Sequence, residues 1–414
     1  MTATWDDLSD MQLVAAAADV VRHPRVHPAD SFVLHAPLEL AARAALLPYV
    51  SPAARAEARR QITAVADTYE HFGPAISPPR DLAWDSLEEA TGVLVTALRA
   101  GDLDDVDAAA AWVGRRATSA DLPRLLTAEI APSLAAAAHG SIFLAQMPRV
   151  APRGELTGEL LRPLARELGR HPEWRLTWFD HAVERTDADP GAVPAEALFE
   201  ALAATPRLGV PGSSFIYPLM SQVERRGVAA DLLSSPTRRV AFDEGARVIL
   251  RAAAWSMLQE PAEHAPYGWS HCLTMPQAVL SLASWCAHPS EALAIAATYV
   301  VGFRAALAAE PLDPSWAPPP PRLDISGALT EDPASAAGAV WHAPRSTYRE
   351  ITSDLATRAA IHHDAHLAKY TIACLDAAAW DASFAHLYLA AAARLHGVWV
   401  ELDAATRVTA GAPA

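Results

Sequence analysis

The chain has 414 residues, 51% of them apolar and 20% charged, which provides for a large buried core and excludes a charged, disordered tail. A formal charge of −15 with histidine neutral excludes a general phosphate-backbone partner, which requires a basic face. Ala and Leu, both strong helix formers, dominate, and Val and Ile never recur in the short runs that a sheet needs.

Met1 to Asp10 is acidic and has neither a basic n-region nor an apolar h-region, so no secretory signal is expected. The Ala-rich segments are all cut by Arg, Asp or Glu, and none reaches the roughly 18–20 apolar residues of a membrane span. A cytoplasmic protein with neither membrane nor nucleic acid as partner is expected. Helical patterns fit 7–22, 35–48, 51–72, 84–100, 104–117, 122–147, 155–169 and 194–204. The stretch 205–240 is rich in Pro, Gly and Ser and reads as loops. Helix returns over 240–259, 273–287 and 289–310. Pro311 to Pro321, with four consecutive prolines at its end, reads as an extended surface connector. Helices over 345–378 and 381–400 complete the pattern, and residues 406–414 are expected to fray. No repeat of fixed period is present. The expectation is an all-α protein: one large helical domain over 1–405, with an irregular Pro-rich crossover and a site at its centre.

Familiar chemical motifs are missing. There is no GxGxxG, no GxxxxGK[ST], no GxSxG and no HExxH, so a nucleotide cofactor on a Rossmann fold is disfavoured and a metal is the simpler route to redox chemistry. Cys272, Cys286 and Cys374 have no metal-binding spacing and read as small buried hydrophobes.

The 16 histidines are the unusual feature. His23, His27, His171 and His288 lie beside Pro or in polar loop sequence. His71, His181, His386 and His396 lie near helix ends or on mixed faces. Four others have apolar settings. His35 follows Phe32-Val33-Leu34 at the start of a helix, with Glu39 one turn on and able to orient its imidazole. His139 follows four alanines and precedes Gly140. His271 lies between Tyr267-Gly268-Trp269 and an apolar helix. His366 lies three residues before Lys369, on the same helical face, with His362 near that face and His363 turned outward. Of the 33 basic residues, 32 are Arg and one is Lys, Lys369. Arg matches its charge but cannot give up the proton or offer a primary amine. A buried imidazole must be satisfied internally, by a carbonyl or by a metal.

The segments His35–Glu39 (HAPLE), Ala138–Gly140 (AHG), His271–Thr274 (HCLT) and His366–Lys369 (HLAK) resemble the questin-oxidase-like family, over a span from about residue 30 to about residue 380. The resemblance implies a non-heme Fe(II) oxygenase that oxidises or ring-cleaves a polycyclic aromatic polyketide such as an anthraquinone, with O2 as co-substrate. It implies that the iron is held by His35, His139, His271, His366 and Lys369, the lysine carrying CO2 as a carbamate. Phe143 stands where the family pattern has Arg, and Met275 where it often has Gly. Carbamate forms only from a neutral amine, and burial favours that form. Phe215, Tyr217, Trp255, Tyr267, Trp269 and Trp341 are candidates to stack on a planar substrate. Glu39 and Asp364 are expected near the metal without touching it, Asp364 as a helix cap. Two other readings stand beside this one: a helical binding protein for a hydrophobic ligand, without turnover, and a metal-dependent hydrolase.

Overall fold

The computed structural model describes residues 5–26, 31–118, 120–150, 158–179, 194–212, 216–321 and 332–410. The first half contributes α1 (Asp10–Val21), α2 (Ser31–Leu46), α3 (Arg55–His71), α4 (Leu87–Ala100), α5 (Leu103–Arg116), α6 (Asp121–Ile130), α7 (Gly140–Val150), α8 (Leu161–Gly169) and α9 (Ala195–Ala203). The second half contributes α10 (Ile216–Arg225), α11 (Val228–Leu233), α12 (Phe242–Gln259), α13 (Ser270–Ser281), α14 (Pro289–Leu307), α15 (Pro333–Trp341), α16 (Tyr348–Ile361), α17 (Ala365–Trp380) and α18 (Ala385–Ala410). Among the described residues there is no strand, only isolated bridges between Arg25 and Ala75 and between Ser133 and Arg175. The protein is all-α.

Local chemistry sets many of the helix ends. Ser9 and Gln12 form a reciprocal capping box at α1. The side chains of Ser86, Asp102, Asp332 and Asp364 accept backbone N–H bonds at the starts of α4, α5, α15 and α17. Gly101, at φ 70°, ends α4 in the left-handed conformation that glycine adopts without penalty.

Four helices form the centre. α2 packs on α7 and α17, and α13 packs on the same two, which closes a ring. α14 lies behind it against α10, α12 and α13. By length and composition alone α14 could cross a membrane, but 83% of its apolar window is buried in the fold. Its Arg304 forms a buried ion pair with Glu260 and also bonds Ser256 and the Glu310 carbonyl, which satisfies a charge that burial would otherwise make costly.

Several expected boundaries differ. The helix expected over 122–147 breaks after Ile130 and resumes at Gly140. Between them Ala136, Ala137 and Ala138 adopt φ values of 49°, 51° and 57°. Helix propensity favours alanine there, and tertiary packing overrides it: a Cβ on Gly140 would lie 2.4 Å from Ile130 Cγ2, so the two helices cross almost in contact. The helix expected over 345–378 is two, because Asp364 caps a new start at Ala365. The stretch 205–240, expected as loops, contains α10 and α11, whose apolar faces bury Leu219, Met220, Val223 and Leu233. α2 begins at Ser31, so His35 sits in its second turn rather than its first. The last helix runs to Ala410, beyond the expected fraying point at 406.

The Pro-rich crossover is held against the bundle. His342 Nε2 donates to the Pro318 carbonyl over 2.9 Å, and the Gln259 side-chain amide donates to the Asp313 carbonyl and accepts from the Asp313 N–H. A Cβ on Gly338 would lie 2.1 Å from the Pro319 carbonyl oxygen. Gly338→Ala is therefore expected to lower unfolding free energy by about 1–3 kcal/mol, read as a lower urea midpoint. Gly92→Ala, where a Cβ meets nothing within 4 Å on an exposed face of α4, should instead raise stability by about 0.5–1 kcal/mol.

Candidate functional site

Each helix of the central ring carries one of the four apolar-set histidines near its N-terminus: His35 in α2, His139 immediately before α7, His271 in α13 and His366 in α17. Residues separated by about a hundred positions or more in sequence meet here. His35 and His139 approach Nε2 to Nε2 at 3.1 Å, and His271 and His139 at 3.2 Å. His366 completes the group, its ring centroid 4.7 Å from that of His35 and 5.0 Å from that of His271. One ring nitrogen from each of His35, His271 and His366 lies within 4.8 Å of the others.

The outer ring nitrogens fix the proton positions. His139 Nδ1 donates to the Ala137 carbonyl over 2.7 Å, and His271 Nδ1 donates to the Tyr267 carbonyl one turn back. His366 Nδ1 lies 3.0 Å from Asp364 Oδ1, which also accepts the His366 backbone N–H at 2.7 Å. Carbonyl and carboxylate oxygens accept only, so each Nδ1 carries the hydrogen, and the neutral ring has none left for Nε2. Burial drives the pKa of His35, His139 and His271 well below the ordinary imidazole range and that of His366 down to about 4. The rings are therefore neutral, and the Nε2 atoms of His139, His271 and His366 present bare lone pairs. Two such lone pairs 3.2 Å apart, at His139 and His271, repel unless something electropositive lies between them.

The left-handed alanines serve this arrangement. The turn through Ala136–Ala138 carries the Ala137 carbonyl back to the His139 ring. Non-glycine residues at positive φ cost roughly 1–3 kcal/mol each, and such strain persists where surrounding packing enforces it. The π-helical turn Ala265–Trp269 performs the same task for His271 through the Tyr267 carbonyl.

Lys369 lies one turn along α17 from His366 and is 4% exposed. Its Nζ has no hydrogen-bond partner among the described residues. Burial lowers its pKa to about 8, with Asp364 and Glu39 opposing the shift. A charge on Lys369 would in turn depress the pKa of all four histidines.

Glu39 does not orient His35, as its position one turn along suggested. Its Oε1 instead accepts from Arg43 Nε at 2.8 Å and Nη2 at 2.5 Å. Arg43 stands one turn further on and offers five donors, and its fork also reaches the carbonyls of Ala360 and His362. Asp364 is both the helix cap and the His366 partner. His362 belongs to a separate group with His363 and Asp403, whose donor atoms also lie within 4.8 Å of one another. There the polarity is reversed. His362 Nδ1 accepts the Asp364 N–H, so its Nε2 carries the hydrogen and donates to Asp403 over 3.3 Å. A ring bonded in that way has no lone pair facing the group.

The four histidines open onto a cavity of about 830 Å³ whose apolar walls include Leu34, Val65, Ile216, Leu219, Phe303 and Leu307. Of the six aromatic residues expected around a planar substrate, Tyr267 lines it, at the mouth and 57% exposed, with its ring edge-on to His366 at 4.9 Å. Tyr217 stacks on Trp174 instead, at 4.2 Å. Trp255 and Trp341 pack against each other at 5.1 Å, away from the cavity, and Trp269 is fully buried without lining it. These three satisfy the core, where large rings contribute most of the buried area. Phe215 lies outside the described residues. Ile216 and Leu219 come from the stretch read as loop, and Phe303 and Leu307 from a helix that is apolar over most of its length, so sequence pattern had nothing by which to single them out.

Comparison with models of known protein families and with curated proteins finds no match to this chain.

The buried neutral imidazoles give the metal-free protein a defined acid sensitivity. In the unfolded chain these histidines take a proton near pH 6.5, whereas the folded His366 does so only near pH 4. Between those values the unfolded state binds more protons, so stability is complete above pH 6.5 and falls as the pH drops. The urea midpoint should fall steeply from pH 6.5 to pH 4. That slope should flatten in His139→Phe.

Proposed function

We propose that His35, His139, His271, His366 and Lys369 hold one first-row transition ion, iron(II), and that the chain is an oxygenase acting on a polycyclic aromatic compound bound in the adjoining cavity. The observation that carries this reading is the pair of bare imidazole nitrogens, His139 Nε2 and His271 Nε2, facing each other at 3.2 Å with their Nδ1 hydrogens committed elsewhere. A cation between them converts mutual repulsion into ligation. Neutral imidazole suits the first-row ions.

Lys369 fits the same set. An ammonium beside this imidazole cluster would repel a metal, and a neutral amine without a partner would waste a buried polar group. Addition of CO2 to the neutral Nζ forms an N–C bond and releases one proton, which leaves an anionic oxygen donor on a long stem. Burial that brings the pKa to about 8 makes the neutral amine accessible near physiological pH. Arginine cannot undergo this addition, which accounts for one lysine among 32 arginines.

Iron(II) held in such a set supplies dioxygen activation beside an aromatic ring. The chain supplies the remainder. The carbonyls of Ala137 and Tyr267 and the Asp364 carboxylate hold three of the rings in one orientation, so little reorganisation is needed on binding. The cavity walls exclude water and offer a flat apolar aromatic a place beside the cluster. Tyr267 stands where it would meet the substrate edge at the mouth.

Protein purified without chelators should contain close to one iron per chain by elemental analysis, and should consume O2 in the presence of a hydroxyanthraquinone. His139→Ala, His271→Ala and Lys369→Arg should each reduce the metal content at least ten-fold, the last because a fixed cation replaces an oxygen donor. Asp364→Asn, which keeps an acceptor for His366 Nδ1, should retain most of the metal, and Asp364→Ala should not. Full metal content in Lys369→Arg would remove the carbamate. Aromatic binding by protein that never holds metal would make the chain a binding protein.

A further inference from the structure

Glu39 is 5% exposed and lines the cavity beside His35, yet the cluster does not use it. Both of its bonds from Arg43 fall on Oε1. No described residue donates to Oε2, which is not sealed within the core and opens onto the cavity. Arg43 is itself fully committed. Its Nη1 donates to the Ala360 carbonyl and its Nη2 to the His362 carbonyl, each over 2.8 Å, which anchors the pair to the end of α16. The remaining acidic groups on the cavity wall are placed differently. Asp364 is engaged by His366, and Glu263 lies beside His264. In Glu39 the cavity wall thus carries a rigid, charge-balanced acceptor with an unused oxygen. A buried acceptor without a partner carries a desolvation penalty that a ligand hydroxyl would remove.

We infer that Glu39 Oε2 is the anchor for a hydroxyl group of the bound ligand, so that the cavity selects hydroxylated aromatics over their O-alkylated counterparts. Resting on the aromatic-substrate reading above, this adds a positioning residue and a functional-group preference to it. The ligand's O–H donates to Oε2, and no bond is broken. Methylation of that hydroxyl removes the donor and places a methyl group against a carboxylate. Arg43 holds Oε1 in place, so in Glu39→Gln the side-chain oxygen stays with Arg43 and the amide N–H groups face the cavity. Those N–H groups cannot accept the ligand O–H and can only donate to its oxygen, as they can equally to a methoxy oxygen, so the two ligands are no longer told apart.

The test titrates 2-hydroxyanthraquinone and 2-methoxyanthraquinone into the purified protein, following quenching of tryptophan fluorescence, with metal content measured on the same samples. Wild type should bind the hydroxy compound at least about ten-fold more tightly, the range expected for a hydrogen bond to a charged group. Glu39→Gln should abolish that preference while metal content stays the same. If Glu39→Gln does not fold, Glu39→Asp, which keeps the charge and withdraws the carboxylate by one methylene, should reduce the preference instead. A preference that survives in the folded variant, or equal binding of both compounds by wild type, overturns the inference. Metal lost in Glu39→Gln also overturns it, by making Glu39 a ligand. A hydroxyl preference that depends on Glu39 in protein holding no metal would sustain the anchor and remove the oxygenase reading.

Discussion

Two unprotonated imidazole nitrogens forced to within 3.2 Å of each other, at His139 and His271, are the constraint around which the centre of this protein is arranged. Isolated in an apolar core, such a contact would relax by rotating one ring or by protonating it. Neither route is open. Each ring is tied through Nδ1 to a carbonyl on its own segment, and burial disfavours the imidazolium. The backbone that supplies those carbonyls is itself unusual, a left-handed alanine turn at one ring and a π-helical turn at the other. Strain in the main chain and repulsion between side chains thus converge on one point, and a bound cation would relieve the second and give a reason for the first.

The ring of α2, α7, α13 and α17 makes that convergence possible. Of these, α7 and α17 direct their N-terminal turns at the histidines, so the positive ends of two helix dipoles lie beside them. This field helps to keep the imidazoles neutral and favours negative charge at the centre. It also opposes an ammonium at Lys369. The buried Glu39–Arg43 pair lies at the edge of this field and balances internally, which leaves one carboxylate oxygen facing the cavity without adding net charge.

The two histidine groups show how little residue type alone decides. His362, His363 and Asp403 bring suitable atoms as close together as the central group does. In the first, a backbone N–H takes the His362 Nδ1 lone pair and leaves Nε2 as a donor. In the second, acceptors take the Nδ1 hydrogens and leave Nε2 bare. One hydrogen bond on the far side of each ring determines whether the near side can receive a cation.

The sequence by itself determined the helical class, because propensity and apolar periodicity act locally and alanine and leucine dominate nearly every window. It also marked His35, His139, His271, His366 and Lys369, since a polar side chain among small or apolar neighbours must be satisfied within the fold. Tertiary structure decided what local pattern could not carry. The break at Ala136–Ala138 follows from the close crossing at Gly140 and Ile130, a contact between helices that propensity does not register. Glu39 turned to Arg43 rather than His35 because both lie one turn away and only packing chooses between them. The aromatic residues scattered because a tryptophan serves a core as well as a cavity, and Ile216, Leu219, Phe303 and Leu307 became cavity walls only when α10 and α14 packed together beside the ring. The meeting of four imidazole nitrogens rests on the packing of helices far apart in sequence, and spacing along the chain holds no information about that distance.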